Sequence, residues 1–158
     1  MAQFEALHPA LHTRPEPRLA ASSSPSTLAS APRPATHWHI GHEAHDLGAI
    51  FDPDISLAVM QRRIDAALKM AVKAQCLGAY PLRMRWRGPI SVLREALERY
   101  LPAPDAGAAL IEDIRVLGEA MGELFEVKDI GMRLEMTQSA MCPRFHVDRI
   151  PVRLGTTY

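Results

Sequence analysis

The chain has 158 residues, 18 basic and 18 acidic side chains, a formal net charge of zero and 47% hydrophobic residues. That length holds one domain, or one domain plus a tail, and the charge balance gives no broad electrostatic footprint for nucleic acid or an anionic membrane. Nowhere do 18 consecutive apolar residues occur, and His8, Pro9, His12, Arg14 and Pro15 interrupt every apolar core that a secretory signal would need. A cytoplasmic chain without a membrane span is expected, with Cys76 and Cys142 as thiols or ligands rather than a disulfide.

Residues 1–36 are dominated by Pro, Ser and Ala, as in TRPEPRLAASSSPSTLASAPRPAT. Such a segment has little to bury against its ordering entropy and reads as a disordered tail. Residues 37–158 then form a single α+β domain. Asp52 and Asp54 are good helix-start residues, and Met60, Ile64, Leu68 and Val72 recur every four positions behind them, predicting an amphipathic helix. Gly78, Pro81, Gly88 and Pro89 mark a loop region in which LRMRW can form a short strand. A second helix is expected over SVLREALERYL, with Leu93, Leu97 and Tyr100 on one side and Pro102 and Pro104 ending it. The third, roughly 106–125, has an apolar stripe of Leu110, Ile114, Leu117, Met121 and Leu124 that reads as core packing.

Beyond Lys128 the period falls to two. Met132, Leu134 and Met136 alternate with Arg133, Glu135 and Thr137, and Val152, Leu154 and Thr156 oppose Arg153 and Thr157. The order is three helices and then a small antiparallel sheet, which looks like the start of an incomplete β-sandwich or barrel. An exposed edge on such a sheet is a route to self-association.

The chemistry-bearing residues concentrate in MCPRFHVDRIPVRLGTTY. In an extended segment Arg144, His146 and Asp148 share one face, with Phe145 and Val147 on the other. His146 and Asp148 are two thirds of the 2-His-1-carboxylate arrangement that holds non-haem Fe(II). Chance alone predicts roughly 0.35 such pairs in this composition, so a lone His-x-Asp is weak, and a core histidine beside an Asp148–Arg149 turn is the plainer alternative. Cys142 adds a soft donor, and Cys142, His146 and Asp148 together could serve Zn²⁺, although the spacing matches no common structural zinc motif. A second constellation, HWHIGHEAH, places His37, His39, His42 and His45 within nine residues. Zn²⁺, Ni²⁺ or Cu²⁺ would suit it, yet no periodicity puts all four on one face. No Gly-rich phosphate loop and no Ser-His-Asp arrangement stands out.

The terminal run, with GHEAHDLGAIFDPDISLAV about a hundred residues earlier, resembles a bacterial family known as domain of unknown function 1826. The resemblance covers roughly Gly41 to Tyr158, and Met-Cys-Pro-Arg-Phe-His-Val-Asp at 141–148 is its most specific part. It implies continuation past Tyr158 into a Gly-Pro-Gly-Thr-Glu segment and a His-Arg-Ser-Pro segment, so that this sequence would be truncated at its C-terminus. A distal His there would complete a triad similar to that of Fe(II)/2-oxoglutarate oxygenases. The resemblance also implies proximity to zinc-handling genes. The expected function is metal binding linked to zinc homeostasis, with Fe(II) and 2-oxoglutarate or Zn²⁺ as the group bound. The rivals are a non-enzymatic zinc carrier using Cys142, His146 and Asp148, and an inactive fragment. Nucleic acid and membrane are not expected partners.

Overall fold

Residues 1–6, 37–78, 81–137 and 152–158 are described in the computed structural model. The chain divides into two compact units, Met1–His12 with Ile64–Tyr158, and Thr13–Arg63. In chain order the elements are β1 (Ala2–Ala6), β2 (Trp38–Gly41), β3 (Leu57–Met60), α1 (Ala66–Cys76), β4 (Arg83–Pro89), α2 (Leu93–Tyr100), α3 (Ala108–Phe125), β5 (Asp129–Glu135) and β6 (Arg153–Thr156). Short 3₁₀ segments lie at Ala44–Phe51, Ile90–Val92 and Asp105–Gly107. The class is α+β with an antiparallel sheet, as expected, with strands before, between and after the helices rather than only after them.

In the first unit the sheet order is β4-β5-β1-β6, every neighbouring pair antiparallel. Alternation does the sorting. Met84, Leu134 and Ala2 line up across β4, β5 and β1, and Trp86, Met132, Phe4 and Leu154 form the next row. Ala2, Phe4, Met84, Ile130, Met132 and Leu134 are buried. Helix α3 contributes Leu110, Ile111, Ile114, Leu117 and Met121 to the same core. Each fully buried aliphatic or aromatic side chain is worth about 1.5–3 kcal/mol of transfer free energy, so this layer dominates the stability of the unit. Gly118 is needed where α3 comes closest, because a Cβ there would stand 2.7 Å from Leu93 Cδ2 and 3.3 Å from Ile130 Cδ1.

Three expectations change. The first residues do not belong with the Pro/Ser-rich run, because Ala2–Ala6 forms the strand between β5 and β6. Its Ala-Gln-Phe-Glu-Ala alternation is short and has weak intrinsic strand preference, so only tertiary pairing makes it visible. Residues 7–36 lie outside the described residues.

The helix expected to follow Asp52 and Asp54 starts later. Leu57–Met60 is a strand instead, parallel to β2, and the helix begins after Asp65, whose carboxylate accepts from the Leu68 N–H at 2.7 Å. The side-chain cap fixes the true start, and the four-residue spacing of Met60 and Ile64 ahead of it was coincidence. Tyr100, placed on the buried side of α2, is 59% exposed, and only Leu93 and Leu97 of that helix are buried.

Gln75 is the one buried polar side chain among the described residues. Its amide nitrogen donates to the Ala103 carbonyl at 2.8 Å and to the Ala71 carbonyl at 3.3 Å, and its oxygen accepts from the Ala103 N–H at 3.0 Å. The carboxamide thus stands in for a strand partner and ties the end of α1 to the loop before α3. The face of the sheet away from this core is polar. It carries Arg83, Arg85 and Arg87 of β4, Arg133 and Glu135 of β5, Gln3 and Glu5 of β1, and Arg153 of β6. An antiparallel sheet tolerates one wetted face.

The second unit, Thr13–Arg63, contains β2 and β3 as a parallel pair in the register Trp38↔Leu57 to Gly41↔Met60, with the Ala44–Phe51 turn between them. The Gln61 N–H closes the ladder on the Gly41 carbonyl at 2.8 Å.

Candidate functional site

Cys142, His146 and Asp148, the residues expected to hold a metal, lie in the run 138–151, outside the described residues. The strands that flank the run are described. β5 ends at Glu135, where β1 begins, and β6 starts at Arg153, opposite Glu5 near the far end of β1. The two ends of the run are therefore anchored at opposite ends of one sheet.

A cavity of about 200 Å³ opens at the β5 end, lined among others by Gln75, Cys76, Glu135, Thr137, Thr157 and Tyr158. The Tyr158 hydroxyl donates to Asp113 Oδ2 at 2.7 Å. Arg133 sits 2.9 Å from Glu135 and holds its carboxyl below the usual range, with burial opposing. The Met1 amine donates to the Glu135 carbonyl at 2.9 Å, and burial lowers its affinity for a proton. Cys76 is a free, exposed thiol. The rim thus mixes a thiol, an amine of reduced basicity and an anionic carboxylate. Sequence reasoning missed it, since its members are scattered from residue 1 to residue 158.

The histidine constellation in Thr13–Arg63 is organised by a residue that the sequence reading passed over, Asp46. Its Oδ2 accepts from the backbone N–H groups of His42 at 2.8 Å and Glu43 at 2.9 Å. Its Oδ1 faces His39 Nε2 at 3.7 Å and His45 Nε2 at 3.5 Å. The bond from the Glu43 N–H, followed by that from His42 and the nearby imidazoles, keeps the carboxyl below its normal value. Glu43 and Asp46 form a reciprocal capping box at the start of the 3₁₀ turn. Gly41 makes the arrangement possible, because a Cβ at that position would fall 2.0 Å from Asp46 Oδ2. The usable signal was Glu43-x-x-Asp46, the capping spacing, with a glycine just before it.

The four histidines are not gathered on one point. His37 Nδ1 lies 3.2 Å from the Asp54 carbonyl oxygen, only His39 and His45 approach Asp46, and His45 is 81% exposed. Among the described residues no three His, Cys, Asp or Glu side chains are grouped so as to hold a metal ion. A four-histidine centre is therefore absent from that part of the chain. Among the same residues no helix is long and apolar enough to cross a membrane.

A family model described as "Protein of unknown function (DUF1826)" matches residues 41–158. No curated protein and no solved structure matches.

Proposed function

The chain belongs to the DUF1826 family, and from that premise we propose that it binds a divalent metal through His146 and Asp148, with Cys142 as a third donor and zinc handling as its role. The donor set carries the reading. An imidazole and a carboxylate two residues apart in an extended run project to the same side, and a thiolate four residues before the imidazole adds the softness that Zn²⁺ accepts. Two further observations support it. The run lies inside the matched region, and its flanks are fixed by strands β5 and β6 on either side of β1.

The test is metal titration of the full chain with Zn²⁺ and with Fe(II), read by calorimetry and by metal content after desalting. His146→Ala and Asp148→Asn are each expected to weaken binding at least about tenfold, as loss of a direct ligand does. A chain in which His37, His39, His42 and His45 are all replaced by Ala is expected to bind as the wild type does. Binding unaffected by His146→Ala and Asp148→Asn together would overturn the proposal. Cys142→Ser separates its two versions. A zinc carrier loses affinity and turns nothing over, whereas an Fe(II) oxygenase tolerates the change and consumes 2-oxoglutarate.

A further inference from the structure

We draw no further inference here: the strongest candidate, the apolar face that Trp38, Ile40 and Leu57 present on the parallel pair β2–β3, is between 44% and 56% exposed, and nothing in the structure shows what covers it.

Discussion

In the unit that carries the sheet, Phe4, Leu93, Leu97, Ile114 and Ile130 are sealed from solvent, whereas in Thr13–Arg63 the described residues include no buried large apolar side chain. Trp38, Ile40, Phe51 and Leu57 of that second unit are between 44% and 57% exposed. Its local shape is set instead by polar bonds that converge on Asp46 and by a glycine that makes room for them. Burial is non-directional and cumulative, while a carboxylate holding two backbone N–H groups is local and specific. Damage to one unit should therefore look different from damage to the other.

The largest effect is expected from Phe4→Ala. It empties the centre of the sheet's buried face, where Phe4 is opposite Met132 on one side and Leu154 on the other. A loss of about 3–5 kcal/mol is expected in denaturant unfolding. A cost under about 1 kcal/mol would break the comparison, because the first residues would then not belong to the core. Gln75→Leu comes next. It leaves the Ala103 N–H and carbonyl without their partner, and about 1–3 kcal/mol should be lost although an apolar group replaces a polar one.

Gly41→Ala sharpens the contrast from the other side. The displaced Asp46 carboxylate should release the His42 and Glu43 amides, whose hydrogen exchange is expected to accelerate by about tenfold or more. Denaturant unfolding of the sheet unit should shift by less than about 0.5 kcal/mol. A cooperative loss across both would show that the units do not respond separately.

The smallest effect concerns acid. Arg115 and Arg94 grip Glu112, and hydrogen bonding to Arg115, partly opposed by desolvation, lowers its carboxyl from 4.5 to about 2. A depressed folded-state value stabilises the fold above the unfolded-state pKa. That contribution is present above about pH 4.5 and disappears as pH falls towards 2. The group is exposed, so salt should screen the effect. Thermal melts between pH 5 and 2 should therefore show a slightly shallower acid limb for Glu112→Gln, and an identical limb would remove the ion pair from the account.

How far the sequence foretold this depends on the element. α3 was legible because Leu110, Ile114, Leu117 and Met121 keep one helical face apolar through about three turns, and all four are buried. β5 was legible because Met132 and Leu134 alternate with charged neighbours. β1 was not, because five residues ahead of a Pro/Ser-rich run carry too little pattern to outweigh their surroundings. LRMRW was read as a possible short strand inside a loop region, and the strand in fact runs on to Pro89, because its pairing with β5 continues to Asp129. Asp46 was overlooked because histidines draw attention to side-chain ligands, while its own partners are mainly backbone amides. Cys142, His146 and Asp148 stand as a proposed donor set, because the run that carries them lies outside the described residues.

The position of β1 also has a consequence for timing. Phe4 is opposite Met132 and Leu154, far later in the chain. A ribosome adds about 5–20 residues per second, so Phe4 is made on the order of ten seconds before its first strand partner exists. Helices α2 and α3 can form from nearby residues during that interval, but the sheet cannot close until β5 has emerged. An inner strand of the native sheet is thus synthesised well before either of its partners, and during that wait chaperones have their clearest opportunity to shield it.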